Sequence, residues 1–292
     1  MPELPDVAIL ADALDVVLSG RPLTGSKIAQ SLVLRGTLAE LAAFEGQTLL
    51  DIKRRGKFLV FQFERDTMVF NPMLTGRLGV ATAGEKAWPQ WAAMFEFGAA
   101  TVPPRRRKAD AWPPAKAGWL PRRDLGVELR YRDATRMGKI YLMPADVTRP
   151  IAGWDEQGPD ADDAALTLDV WRERIGRHQG ELKSLLRNQA FVAGIGNAYS
   201  DEILWAARLL PFRKRASLAA DEADTLYRAT RETLGWATDQ LHELVPPRLE
   251  VEQREFLNVH RKGGSPCPRC GTRLSQVSAG GFDTTFCRGC QR

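Results

Sequence analysis

Cysteine is missing from the first 266 residues of this 292-residue chain, and all four cysteines fall in the last 26. A disulfide scaffold would spread its bridges through the fold, so this distribution points to a reducing compartment. Long apolar runs are missing as well. No stretch reaches the roughly 18 uninterrupted apolar residues that a membrane span needs. The start, Met1-Pro2-Glu3-Leu4-Pro5, is acidic and proline-bearing and lacks the basic opening of a signal peptide. There is no internal repeat. Together these absences argue against a secreted disulfide-stapled protein and against a membrane protein. The expectation is a cytoplasmic protein with no membrane partner.

What is present suits a globular chain of two domains and a short extra module. Hydrophobic residues make up 44%, and the formal net charge is +5. That balance leans toward a polyanionic partner, but an ordinary basic surface fits the same numbers.

Periodicity divides the chain. Val7, Leu10, Leu14, Val17 and Leu18 recur at helical spacing and predict a helix over Pro5–Leu18, with Pro5 suited to a first turn. Beyond Thr48 the period shortens. Leu59, Phe61 and Phe63 alternate with Phe58, Val60 and Gln62, which is strand-like. Met68–Phe70 and Gly126–Arg132 read the same way, and the second run turns at Asp133-Ala134 into Lys139–Leu142. Residues 84–125 break the pattern with Trp88, Trp91, Trp112 and Trp119 and with Pro103, Pro104, Pro113, Pro114 and Pro121. They read as an insertion or long loop with little regular structure. The run Arg105-Arg106-Arg107-Lys108 within it fits a solvated face or a DNA contact.

The polar stretch Asp155–Asp163 reads as a linker. Helical spacing then returns over Thr167–His178, Glu181–Gln189, Ala198–Leu209 and Ala219–His242. The class is therefore α+β, with a β-rich first half behind a leading helix and a helical second half.

The tail reads Cys267-x-x-Cys270, sixteen residues, then Cys287-x-x-Cys290. This is the spacing of a four-thiolate zinc ribbon. Each knuckle offers two sulfurs, and two knuckles complete a tetrahedron. No position is left for water, so the one zinc ion expected here is structural. Residues 251–292 carry seven Lys/Arg against three Asp/Glu. Such a basic hairpin fits a phosphate-binding finger or a stability clip.

The head offers different chemistry. Removal of Met1 would expose Pro2 as a secondary amine. An α-amino group titrates near ~8, so a modest downward shift frees its lone pair at neutral pH. Attack on an aldehyde-like sugar carbon gives an iminium ion, an electron sink that permits elimination. Glu3, next in the chain, could protonate a ring oxygen or a leaving group. Taken alone, the same residues fit a plain disordered terminus.

The combination resembles the formamidopyrimidine-DNA glycosylase family. Met1-Pro2-Glu3-Leu4-Pro5-Asp6-Val7 is similar to the start of those enzymes. Arg54-Arg55-Gly56-Lys57 looks like their lysine-bearing loop. Gln189 to Glu202 is similar to their helix–two-turns–helix signature, and the cysteine module to their terminal finger. The motifs span the chain in family order. The resemblance implies an N-terminal catalytic β-sandwich over 1–150, a helical DNA-binding domain over 165–250 and a zinc-ribbon finger over 256–292. It implies a monomer acting on double-stranded DNA that contains a damaged base or an abasic site. Pro2 would attack C1′ of a flipped-out nucleotide, Glu3 would help to open the sugar, and elimination of phosphate on both sides would follow. Lys57 and Asn197 would hold phosphates. Gly194, Gly196 and the start of the following helix would approach the same anion. Leu74, Arg136 and Met137 would fill the gap left by the extruded base, Arg136 facing the orphaned partner. On apolar character alone, Leu74 and Met137 fit core positions equally well.

Four positions depart from the family pattern. The finger's arginine, five residues before the third zinc cysteine, is here Phe282, which cannot form charge-assisted phosphate bonds. Asp6 stands for glutamate, Leu74 for methionine and Met137 for phenylalanine. The resemblance favours oxidised purines, 8-oxoguanine and formamidopyrimidines, as targets. Oxidised pyrimidines or abasic sites are the alternative within the class. Phe282 favours a lesion-binding protein without turnover. A zinc-ribbon regulatory or RNA-binding protein would leave the amino terminus unexplained.

Overall fold

Alternating apolar side chains build the first half as two facing sheets. The computed structural model describes all residues except 83, 84, 87, 104–116 and 280. The leading helix α1 (Leu4–Leu18) buries Val7, Leu10, Leu14, Val17 and Leu18, as its spacing predicts. Among the described residues, nine strands and one short α-helix follow. They are β1 (Leu23–Ile28), β2 (Leu34–Arg35), α2 (Leu38–Ala42), β3 (Leu49–Arg55), β4 (Phe58–Phe63), β5 (Thr67–Asn71), β6 (Arg77–Thr82), β7 (Trp91–Phe97), β8 (Val127–Arg132) and β9 (Lys139–Met143). One sheet runs β2-β9-β5-β4-β3 and the other β1-β7-β8-β6. Aromatic contacts join them face to face. Phe63 stacks on Phe97 with centroids 6.4 Å apart, and Phe70 meets Phe95 edge-on at 5.8 Å and Tyr131 at 6.0 Å. The inward set on β4 is Leu59, Phe61 and Phe63, one side of the predicted alternation.

Residues 84–125 are not wholly irregular. They contain β7, which pairs with β1 on one side and β8 on the other. Ala92 to Phe95 are buried in succession, so this central strand shows no alternation that would reveal it. The basic run Arg105–Lys108 and Trp112 lie outside the described residues.

The chain divides into two compact units. The first comprises Met1–Pro2, Asp6–Ala152 and His242–Glu252, and the second Glu3–Pro5, Gly153–Leu241 and Gln253–Arg292. The later elements are α3 (Leu168–Gly176), α4 (Leu182–Arg187), α5 (Asn197–Ala206), α6 (Ala220–Leu244), β10 (Ser275–Ala279) and β11 (Phe282–Phe286). The core of the second unit gathers Trp171, Leu186, Phe191, Tyr199 and Leu226. Thr167 caps α3 through its hydroxyl, which accepts from Val170 N at 3.4 Å.

The stretch read as a linker is part of this unit. Gly158 N donates to Gln189 O at 2.8 Å, Ala193 N to Pro159 O at 2.9 Å and Ala161 N to Ala193 O at 3.0 Å. Its polar composition concealed these backbone bonds and the burial of Ala161 in the core. Among the described residues, no helix is long and apolar enough to cross a membrane.

A buried polar cluster ties α4 and α5 to β11. Lys183 Nζ donates to Asp201 Oδ1 at 2.6 Å, Thr284 Oγ1 at 2.9 Å and Asp283 O at 3.0 Å. Asp201 Oδ2 lies 2.8 Å from His260 Nδ1 and accepts from Thr285 N at 3.3 Å. Burial pushes the Lys183 ammonium below its usual range, and the Asp201 charge opposes that shift. Removing one member of such a pair strands the other in a dry interior. Lys183→Met is therefore expected to lower unfolding free energy by about 3 kcal/mol. Denaturant titration checks this, and a midpoint equal to wild type would refute it.

Candidate active site and nucleic-acid interface

Every α-helix begins with backbone N–H groups that have no partner inside it. A Ser, Thr, Asp or Asn side chain usually serves them. Helix α5 lacks that service, because its N-cap residue is Gly196, which has no side chain. Glu3 supplies the cap instead. Its Oε2 accepts from Gly196 N at 2.7 Å and Tyr199 N at 3.2 Å, and its Oε1 from Ala198 N at 2.8 Å. The side chain is buried. The positive end of the helix complements a carboxylate.

Two glycines make the approach possible. A Cβ on Gly196 would lie 2.5 Å from Glu3 Cδ. Gly194 sits at φ +100°, and a Cβ there would lie 2.7 Å from the Leu4 side chain. Leu4 N donates to Gly194 O at 2.9 Å, so residues 3 and 4 are both held by the same loop. Sequence reasoning gave the start of this helix to a phosphate. The structure gives three of its amides to the protein's own carboxylate. Asn197 turns its Nδ2 to Asp283 O at 3.1 Å, and its Oδ1 is buried without a hydrogen-bond partner among the described residues.

In the first unit, Pro2 is buried and lines a pocket with Asp6, Leu10, Arg77, Leu249 and Glu252. Glu252 anchors one side of it. Its Oε2 meets Arg77 at 2.5 Å and its Oε1 meets the Met1 ammonium at 3.5 Å. Lys57 occupies the two-residue turn between β3 and β4, where Arg55 pairs with Phe58. Gly56 takes φ +56° at the first central position, the demand of a type II′ turn.

Leu74, Arg136 and Met137 sit on two loops of this same unit. One joins β5 to β6 and the other β8 to β9. The buried Asp133 carboxylate binds them together. It accepts from the Thr75 hydroxyl of one loop and from Thr135 N at 3.2 Å and Gly138 N at 2.7 Å of the other. Lys139 Nζ spans the carbonyls of Arg136 at 3.1 Å and Met137 at 2.9 Å. Leu74 and Met137 are each 43% exposed, so neither is a core residue.

The four cysteine sulfurs lie within 4.8 Å of one another. Cys267 and Cys290 are 3.8 Å apart, and Cys270 and Cys287 3.4 Å. Sulfurs about 2.3 Å from a tetrahedral zinc ion stand about 3.8 Å apart, so the set fits one structural zinc. Outer donors prepare it. The Trp205 indole N–H donates to Cys267 Sγ at 3.3 Å and Arg269 to Cys290 Sγ at 3.6 Å. Burial alone would raise the Cys267 thiol, but the Trp205 donor and the amides of Arg269 and Cys270 outweigh it and bring it down to about 6.

Several residues of these sites escaped sequence reasoning. Glu252 and Asp133 carry no local motif. Arg187, at the end of α4, places its guanidinium carbon 3.6 Å from the centroid of the Phe282 ring. Only a fold brings those two together.

A β-sandwich, a helical unit and a four-cysteine ribbon in this order define a class of zinc-bearing, helix–two-turns–helix proteins. Family models match throughout: the formamidopyrimidine-DNA glycosylase N-terminal domain over 1–140, its H2TH domain over 157–242, and a zinc finger found in FPG and IleRS over 264–292. The chain is 30% identical to a formamidopyrimidine-DNA glycosylase of Pelotomaculum thermopropionicum, covering all of this chain and 99% of that one. It is 31% identical to one of Geobacillus kaustophilus, with both covered in full. The fold is shared with Lactococcus lactis Fpg bound to DNA containing N7-benzyl-Fapy-dG, at TM-score 0.82, 23% identity and full coverage of both chains. The same enzyme on DNA with an abasic site gives TM-score 0.80 at 22% identity over 99% of each chain. The chain belongs to the formamidopyrimidine-DNA glycosylase family.

Cys267→Ser opens the tetrahedron and removes the sulfur that Trp205 serves. Metal analysis is expected to fall from one zinc per chain toward none. Retention of a full equivalent would show that the other three thiolates suffice.

Proposed function

We propose that this DNA glycosylase of base excision repair uses a free Pro2 amine as its nucleophile. Met1 is removed, and the Pro2 nitrogen attacks C1′ of the damaged nucleotide. The bond from C1′ to the base breaks, and the base leaves with a proton. Ring opening, with Glu3 as the acid at the sugar oxygen, gives an iminium ion between Pro2 and C1′. Loss of a C2′ proton into that electron sink expels the 3′ phosphate, and a second elimination expels the 5′ phosphate. The protein is therefore both glycosylase and abasic-site lyase. Oxidised purines such as 8-oxoguanine and formamidopyrimidine are its targets, in DNA of the cytoplasmic compartment, and it works as a monomer.

The observation that carries this reading is the anchoring of Glu3. A carboxylate fixed by three amides of α5 holds the adjoining Pro2 at a set place in the chain's path. Nothing about a disordered terminus would call for such a buried cap. The remaining roles are part of the same proposal. Lys57 on its tight turn and Asn197 at the head of α5 contact phosphates. Leu74 and Met137, exposed on loops that Asp133 holds together, take the space of the extruded base, and Arg136 faces its partner. Cys267, Cys270, Cys287 and Cys290 bind the zinc. The ion holds the ribbon and takes no part in the chemistry, because four thiolates fill its shell.

Borohydride reduction tests the nucleophile. Wild type incubated with an abasic duplex and the reductant is expected to yield a covalent protein–DNA adduct that maps to residue 2. Pro2→Gly is expected to trap far less. An active protein that retains Met1, or an adduct on another residue, would defeat the assignment.

Glu3 can be tested from a distance. Gly196→Ala places a methyl group against its carboxyl carbon, so the carboxylate must leave its amides. Base excision is expected to fall by roughly 10²-fold or more, the usual worth of a positioned acid. Cleavage of preformed abasic sites is expected to suffer less, in Gly196→Ala and Glu3→Gln alike. Equal loss of both activities would contradict the acid role.

A further inference from the structure

Phe282 stands where the family pattern calls for a phosphate-binding arginine, yet a guanidinium is present at that place. The Arg187 guanidinium carbon lies over the Phe282 ring, 3.6 Å from its centroid. The two side chains come from different elements, α4 and β11. Among the described residues, the Arg187 guanidinium donates no hydrogen bond and joins no ion pair. Both groups are partly open: Phe282 is 40% exposed, and Arg187 is half-buried.

The stack has a chemical consequence. A ring covers one face of the guanidinium plane and holds it by cation–π attraction. The N–H donors lie in that plane, so a ring over its face leaves them available to a ligand. Two in-plane donors match two oxygens of a phosphate. The surroundings agree with an anion site. Asn197 Nδ2, itself assigned to a phosphate, is bonded to the carbonyl of Asp283, the residue after Phe282. Burial holds the Arg187 guanidinium below its usual range, and the charges of Glu3 and Asp201 oppose that shift in part.

The geometry points to Arg187, held by Phe282, as the clamp for a DNA backbone phosphate beside the lesion. The clamp's cation has moved from the finger hairpin to the end of α4, and the aromatic side chain left on the hairpin positions it. This assignment rests on the glycosylase reading above. It also removes the ground for a binder without turnover, which Phe282 alone had favoured.

The test uses full-length zinc-loaded protein and a duplex carrying a tetrahydrofuran abasic analogue. Affinity is measured by fluorescence anisotropy across a range of salt. Arg187→Gln is expected to weaken binding about ten- to a hundredfold, the worth of a charge-assisted hydrogen bond. The slope of log affinity against log salt is expected to become shallower by about 0.9, the loss of one phosphate contact. Phe282→Leu keeps the charge but loses the stack, so affinity is expected to fall with little change of slope. The exchange variant, Arg187→Leu with Phe282→Arg, returns the cation to the hairpin and is expected to restore both affinity and slope. A purely structural role for the pair would leave the slope alone. Should Arg187→Gln retain its zinc and melting temperature and show the wild-type slope, the clamp is overturned. If wild type itself fails to bind the abasic duplex, the glycosylase reading falls first, and the clamp with it.

Discussion

A helix that cannot cap itself is the constraint around which this protein is organised. Helix α5 opens at Gly196, and three of its first amides rest on the carboxylate of Glu3, 193 residues earlier in sequence from Gly196. A buried amide left without a partner costs about 1–3 kcal/mol. Three of them make the amino terminus part of the core rather than a frayed end, which is the usual fate of a terminus. Leu4 adds a backbone hydrogen bond to the same loop. The proposed mechanism needs a terminal amine whose position is determined, and the residue beside it is fixed by this cap.

The same helix carries the ribbon. Glu202 accepts from the amides of Asn258, Val259 and His260, each at 2.8 Å. One turn of carboxylates on α5 thus orders the segment that leads into the zinc knuckles. Asp201 holds Lys183 and His260, and through Lys183 it holds β11. The zinc closes the far end of the hairpin, and this polar seam closes the near end. Two anchors leave β11 little freedom, and Phe282 and Asp283 can then serve as fixed mounts for Arg187 and Asn197.

Much of this was legible in the chain before folding. Helical spacing revealed α1, the strict alternation of Leu59, Phe61 and Phe63 revealed β4, and the cysteine spacing revealed the metal. Local patterns sufficed because α1 repeats its apolar residues at helical spacing, β4 alternates buried with more open positions, and the four cysteines keep the spacing of one ion's ligands. Strand β7 is buried on both faces and hides between tryptophans and prolines, so its pattern was invisible. The segment 155–163 folds back through backbone bonds and through the Arg231 guanidinium on its carbonyls, which composition cannot show. The start of α5 was misread for a deeper reason. A glycine-rich turn before a helix does call for an anion. No local rule says that the anion is a side chain of the same molecule. The pairing of Arg187 with Phe282 was hidden likewise, because neither residue changes the pattern of its own element.

The two loops at the edge of the sandwich follow the same logic in another form. Leu74 and Met137 hold apolar surface in water, which is unfavourable unless something else covers it. Natural loops bearing such residues are usually free to fold them inward. These are not, because Asp133 is buried and saturated by donors from both loops. The arrangement makes sense if the apolar tips must meet unstacked bases, whose separation costs a few kcal/mol. A flexible wedge would lose part of that return in ordering itself. A wedge fixed beforehand by a buried carboxylate would not, and so the proposed wedge role accounts for exposed apolar tips on loops that Asp133 ties together.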